Sequence, residues 1–71
     1  MTDEEYVMSL AKVKFEQRWD MKRLADELGI SYIWCGIVMN RKTKISRALA
    51  QKIQFVLTKY NCEPWKEPKK S

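Results

Sequence analysis

The chain has 71 residues, 45% of them hydrophobic, which is enough for one small domain with a single core cluster. It carries 14 Lys and Arg against 9 Asp and Glu, a formal net charge of +5, which favours a polyanionic partner. There is no histidine, and the two cysteines form no CxxC pair, so a zinc site lacks ligands. We expect no metal, no cofactor and no enzymatic activity, because the carboxylates fall on solvated helical faces and form no recognisable pair.

The same composition argues against export and membrane insertion. No apolar run approaches the ~18 residues that a membrane-spanning helix needs. The N-terminus opens Thr2-Asp3-Glu4-Glu5, which is unlike the apolar core of a secretory signal. We therefore expect a cytoplasmic protein whose two thiols are reduced. Cys35 falls on a predicted buried face, whereas Cys62 is expected to be partly exposed.

The first predicted helix runs from about residue 3 to residue 17. Thr2 and Glu5 have the spacing of a capping box, in which each side chain accepts a hydrogen bond from the other residue's backbone. The predicted apolar stripe consists of Tyr6, Leu10 and Val13. Phe15 falls off that stripe, and it is either a second contact surface or a half-buried aromatic residue.

Two further helices follow at about 21–28 and 31–40, capped by Asp20 and Ser31. Gly29 lies between them, where a helix end often requires a positive φ that Gly adopts at little cost. Their buried stripe consists of Leu24, Ala25, Leu28, Cys35 and Val38. The small side chain of Ala25 fits two helices that cross closely at a steep angle. This pattern predicts a helix-turn-helix.

The remainder of the domain is a basic connector, residues 41–45, and a fourth helix at about 47–60 that Ser46 caps. The inward face of that helix consists of Leu49, Ala50, Ile53, Val56 and Leu57. We find no repeat and no strand-like alternation long enough to build a sheet. The sequence therefore predicts a compact all-α fold of four helices, or five if the tail adds one.

We divide the chain into a helix-turn-helix domain, residues 1–61, and a basic proline-containing tail, residues 62–71. Pro64 and Pro68 prevent the tail from being helical throughout. Either Trp65 anchors the tail on the body or the tail is a flexible basic arm. We expect hydrophobic packing from all three tryptophans, which are Trp19, Trp34 and Trp65.

The pattern resembles the λ-repressor-like and Cro-like (XRE-type) family of phage and bacterial regulators. The matching residues are Leu24-Ala25, Leu28-Gly29-Ile30-Ser31, Val38, Ile45-Ser46, Leu49-Ala50, Ile53 and Leu57. The resemblance covers roughly residues 8–58. It implies a sequence-selective regulator of a phage or mobile element whose third helix enters the major groove of double-stranded DNA. It also implies a homodimer that binds a pseudo-palindromic operator and blocks other proteins sterically.

The resemblance also implies which residues contact DNA. Base contacts fall to Tyr32, Ile33, Gly36 and Ile37. We assign phosphate contacts to Lys22, Ser31, Asn40, Arg41, Lys42, Lys44 and Arg47, with Lys52 as a further cation. The chain departs from the family at three positions. Met21 stands where many members have Gln, Arg41 where they commonly have Gly, and Ile45 where they have Pro.

The predicted base-contacting face is unusually apolar, and this leaves alternatives open. No Gln, Asn or Arg is present there to form a bidentate pair with a base. The same face could dock on another protein, as in an antirepressor or an inhibitor module. A weaker alternative is a binder of single-stranded nucleic acid or RNA that stacks bases on its tryptophans.

Overall fold

The computed structural model of the protein describes residues 2–66. It contains four α-helices, which are Asp3–Gln17 (α1), Met21–Leu28 (α2), Tyr32–Met39 (α3) and Arg47–Lys59 (α4). Within residues 2–66 there is no β-strand. The predicted all-α fold with four helices is therefore confirmed. Pro68 and the other residues of 67–71 lie outside the described part, and the division at residue 61 stays a prediction.

Every helix begins at its predicted cap. The Thr2 hydroxyl accepts the Glu5 N–H at 3.1 Å, and the Glu5 carboxylate accepts the Thr2 N–H at 2.9 Å, so the capping box is present. The other three N-caps are Asp20, Ser31 and Ser46. The side chain of each accepts the backbone N–H of the residue three positions later. These bonds satisfy backbone donors that the helix itself leaves unpaired, and so they define where each helix starts.

Each of the four helices is followed, within two residues, by a residue in the left-handed conformation. Gly29 has φ 69°, as predicted, and the Gly29 and Ile30 N–H groups bond back to the last turn of α2. Arg18, Arg41 and Asn61 adopt φ 57°, 59° and 51° and make the same kind of closing bonds. The sequence did not indicate a positive φ at Arg18 or Arg41, because arginine rarely adopts one, whereas asparagine, as at Asn61, adopts it more often.

The core is one cluster to which all four helices contribute. Its buried members are Leu10, Val13, Leu24, Ala25, Leu28, Cys35, Val38, Leu49, Ile53, Val56, Leu57 and Cys62. α2 packs against α3 and α4, and α1 packs against α3 and α4. α3 therefore packs into the core through its inner face, where Cys35 and Val38 are fully buried. Its outer face does not belong to the core.

The prediction that Cys62 is partly exposed was wrong, because its side chain closes one end of the core. It is 8% exposed, and its Sγ donates to Glu16 Oε1 at 3.0 Å. Burial and this carboxylate raise the pKa of the Cys62 thiol to about 11. Nearby, the backbone N–H of Trp65 donates to the buried Ser9 hydroxyl at 2.8 Å. The start of the tail is thus bound to α1, and both cysteines are free thiols as expected.

A charged cluster joins α2 to the end of α4. The Glu27 carboxylate, whose side chain is 13% exposed, pairs with Arg23 at 2.9 Å and with Lys59 at 3.5 Å. The Tyr60 hydroxyl first, and then Arg23 and Lys59, hold the pKa of Glu27 below its ordinary value. Glu27 therefore stabilises the fold above its unfolded-state pKa, about 4.3, and loses that contribution as the pH falls through its folded-state pKa.

We expect Glu27→Gln to lower the urea unfolding midpoint at pH 7, and we expect its difference from the wild type to shrink as the pH falls, because protonation of the carboxyl removes its charge. The measurement is a series of urea titrations between pH 7 and pH 3, followed by circular dichroism. A difference between the two proteins that persists unchanged at pH 3 would mean that Glu27 contributes by packing rather than by charge.

Candidate nucleic-acid interface

The outer face of α3, which we define as Tyr32, Ile33, Gly36 and Ile37 (the α3 face), is open to solvent at its N-terminal end. Tyr32 is 59% exposed and Ile33 is 75% exposed. Gly36 and Ile37 are half-buried. An ideal Cβ built on Gly36 would meet no atom within 4 Å outside its own helix backbone and chain neighbours. Of the four predicted base-contacting residues, Tyr32 and Ile33 are thus accessible, and Gly36 and Ile37 are accessible only in part.

Trp34 widens this apolar surface, which contradicts its predicted role in packing. It is 42% exposed, whereas Trp19 and Trp65 are half-buried. The sequence contains a signal for this outcome. Three consecutive large residues, Tyr32 to Trp34, span about 200° of a helix at 3.6 residues per turn, so one buried face could not cover them all.

The start of α3 lies beside the start of α2. Lys22 and Tyr32 line the same shallow groove, so a predicted phosphate contact adjoins a predicted base contact. The Ser31 hydroxyl accepts the Trp34 N–H at 3.1 Å and is exposed. Because a hydroxyl that accepts one bond can still donate its own hydrogen, Ser31 keeps a donor for a phosphate oxygen.

At the other end of α3, two predicted phosphate contacts already have intramolecular partners. The Asn40 amide donates to the Gly36 carbonyl at 2.8 Å. The Arg41 guanidinium binds both carboxylate oxygens of Glu4, at 2.5 and 2.8 Å. Hydrogen bonding and the positive charge of Arg41 hold the pKa of Glu4 below its ordinary value, so this pair is charged at neutral pH.

The acidic start of α1 therefore lies against the basic connector, residues 41–45. Asp3 Oδ2 accepts the Ile45 N–H at 3.3 Å, which adds a second bond between the two segments. Lys42, Lys44 and Arg47 are exposed, and none of them forms an ion pair with another residue in the range 2–66. In the free protein these three cations, rather than Arg41, are available to a polyanion.

Lys52 lies apart from the connector. It lines a groove between α4 and the C-terminal end of α2, together with Asp26 and Phe55. The structure thus groups Lys22 with the start of α3, and Lys42 and Lys44 with its end. It places the more distant Lys52 on a different surface.

Comparison with protein-family models, with curated proteins and with solved structures found no match for this chain. Membership of the λ-repressor-like family therefore stays a prediction. Among the helices of residues 2–66, none combines the length and the apolar character needed to cross a bilayer.

We expect Glu4→Gln to increase affinity for duplex DNA by about 3–10-fold near 0.1 M salt, because it releases Arg41 for one additional phosphate contact. Stability should change little, since the Glu4–Arg41 pair is exposed. Fluorescence anisotropy with a labelled duplex measures the effect. Glu63→Gln removes the same charge from the exposed tail segment and serves as the control. Equal gains in both variants would show that Arg41 does not reach a phosphate.

Proposed function

We propose that this protein is a sequence-selective regulator of transcription that binds double-stranded DNA through α3. The proposal depends on one observation. The exposed α3 face has the cation Lys22 beside its start and the free cations Lys42 and Lys44 after its end. An α-helix with its side chains is about 10–12 Å in diameter, which suits a major groove about 12 Å wide.

The side chains on the α3 face determine what kind of recognition is possible. Ile33 can contact the methyl group of thymine, and the Tyr32 hydroxyl can reach a base edge or a phosphate. Neither forms the paired hydrogen bonds that give ~1–3 kcal/mol of discrimination per base. Phosphate contacts therefore supply most of the affinity, and DNA shape contributes to specificity.

In this proposal the regulator acts by occupying its operator and so excluding polymerase or another regulator. A domain this small covers few base pairs, so two copies bind a pseudo-palindrome with half-sites about 34 Å apart. The proposed setting is the cytoplasm of a bacterium, where the protein serves a phage or a mobile element, as the family resemblance implies.

The experiment that tests the proposal is selection from a pool of randomised duplexes, followed by sequencing of the bound fraction. We expect enrichment of a short motif with dyad symmetry. Binding to the enriched duplex should weaken steeply with salt, with a log–log slope near −0.9 for each phosphate contacted. An unenriched pool together with no binding at 50 mM salt would overturn the proposal.

A protein-binding module is the second candidate, and the exposure of Ile33 and Trp34 favours it. Large apolar side chains that share one surface often mark a site for a protein partner. The two functions differ in their response to salt. Binding to a protein partner that is independent of salt, and that is lost in Ile33→Ser but kept in Lys42→Ala, would support the protein-binding function and contradict the DNA-binding one.

Gly36→Ala should separate folding from function. It should raise the free energy of unfolding by about 0.5–1 kcal/mol, because Gly in a helix interior is less favourable than Ala and the site has room for a methyl group. It should weaken duplex binding several-fold, because the methyl group would meet base edges at the centre of the α3 face. Thermal denaturation and anisotropy measure the two effects. Unchanged or stronger DNA binding would place Gly36 outside the groove.

A further inference from the structure

α4 carries an exposed aromatic side chain on its outer face. Phe55 is 68% exposed, and it borders an open groove of about 410 Å³ between α4 and the end of α2 (the Phe55 groove). Small or buried residues also line this groove, namely Leu28, Gly29 and Ala48. The same surface therefore offers both a projecting side chain and a concave site to receive one.

The charges along the Phe55 groove are of both signs and lie on opposite walls. Asp26 projects from α2 and Lys52 from α4, and both are exposed. Neither forms an ion pair with any residue between 2 and 66. The other acid in the groove, Glu27, is already neutralised by Arg23 and Lys59. The groove thus keeps one acid and one base available to a partner.

A two-fold interface uses the same patch on both copies, so each residue must suit what faces it from its partner. An acid on one wall and a base on the other meet that requirement, because a two-fold rotation brings each opposite its counterpart. Phe55 and the Phe55 groove meet the same requirement, because the rotation brings Phe55 of each copy opposite the groove of the other. Self-association through this surface would bury apolar area and would pair both free charges.

The other exposed apolar surfaces do not meet this requirement. Phe15 is 84% exposed, but Lys14 and Arg18 line the groove beside it, and the acid there, Glu16, accepts the hydrogen bond from Cys62. Two copies joined at Phe15 would bring four cations, Lys14 and Arg18 from each, together with only the two Glu16 carboxylates, and this excess of positive charge opposes association. The α3 face has the same difficulty, since Lys22 and the basic connector flank it.

We propose that two copies of this chain associate through the outer face of α4, with Phe55 of each in the Phe55 groove of the other. Asp26 then faces Lys52 of the partner subunit, and the reverse pair forms by symmetry. This interface is the dimer surface of the proposed DNA-binding regulator. Only its role in DNA binding rests on that proposed function. Association itself requires no DNA.

The first test is sedimentation equilibrium of the protein alone over a range of concentrations. We expect the wild type to form dimers and Phe55→Ser to raise the dimer dissociation constant at least tenfold, with an unchanged circular dichroism spectrum. Phe15→Ser, which removes a comparably exposed aromatic residue, should associate like the wild type. A wild type that stays monomeric, or an effect of Phe15→Ser as large as that of Phe55→Ser, would overturn the proposal.

The second test exchanges the charges. Asp26→Lys and Lys52→Asp should each associate at least tenfold more weakly than the wild type, because each places like charges opposite one another. The double variant should recover wild-type association, and an equimolar mixture of the two single variants should form heterodimers. Failure of both the double variant and the mixture to associate would contradict the proposed pairing.

The two proposals fail in distinguishable ways. A monomeric wild type that binds a single half-site would overturn the dimer surface and leave DNA binding supported. A protein that dimerises through Phe55 but binds no duplex at any salt concentration would overturn DNA binding and leave the dimer surface supported.

Discussion

Replacing Ala25 with Leu should lower the free energy of unfolding by about 1–3 kcal/mol or more. Ala25 is 2% exposed and belongs to the core where α2 packs against α3. Its carbonyl also accepts the Ile30 N–H at 3.1 Å, so it lies at the turn that joins the two helices. A larger side chain here must separate the helices or distort that turn.

The measurement is chemical and thermal denaturation of the variant beside the wild type. For a domain of this length, each kcal/mol corresponds to a shift of about 4–8 °C in Tm. Lys22→Leu, on the same helix but exposed, is the control and should keep a Tm near that of the wild type. An unchanged Tm in Ala25→Leu would show that α2 and α3 do not cross closely.

The consequence for function is direct, because the α2–α3 contact sets the direction in which the α3 face points. A variant that folds with separated helices should present Tyr32 and Ile33 at a different angle from the connector. We therefore expect Ala25→Leu to lose duplex affinity even at temperatures at which it remains folded. Anisotropy at 10 °C, well below the expected Tm, measures this loss.

The second large effect is expected from the double substitution Lys42→Ala and Lys44→Ala. Affinity for duplex DNA should fall by roughly one to two orders of magnitude near 0.1 M salt, whatever the sequence of the duplex. The log–log salt slope should become shallower by about 1.8, which corresponds to two lost phosphate contacts. The reason is that both lysines are exposed and have no ion-pair partner among residues 2–66.

A matched control separates local contacts from total charge. The double substitution Lys12→Ala and Lys66→Ala also removes two positive charges, one from α1 and one from the tail. It should alter the salt slope by much less, because these lysines lie outside the proposed contact surface. If the two double variants weakened binding equally, net charge alone would account for affinity, and the connector would have no specific role.

The sequence was sufficient wherever the decisive contact is local. The caps at Thr2, Asp20, Ser31 and Ser46 each join residues three apart, so the residues that form the bond also predict it. The buried stripe of α2 and α3 follows from helical periodicity, whereas the outward position of Tyr32 and Ile33 was implied by the family resemblance. Fold class and the buried stripe could therefore be obtained from the residues alone.

Contacts between distant segments could not be predicted in this way. Arg41 was assigned to phosphate, but Glu4, 37 positions earlier, binds it in the free protein. Cys62 was expected to be partly exposed, but it packs into the core, and the following Trp65 bonds to Ser9, 56 positions earlier. No sequence periodicity encodes which acid meets which base, because that depends on how α1 lies across the other helices.

The residues alone thus determined that the chain forms four capped helices, with an apolar outer face on the third and a net positive charge. The tertiary structure alone decided which cations are free, which aromatic residues are exposed, and that a groove with one acid and one base adjoins Phe55. The physical reason is the range of the interactions. Helix formation and capping act within one turn, whereas burial and charge pairing arise only where separate helices meet.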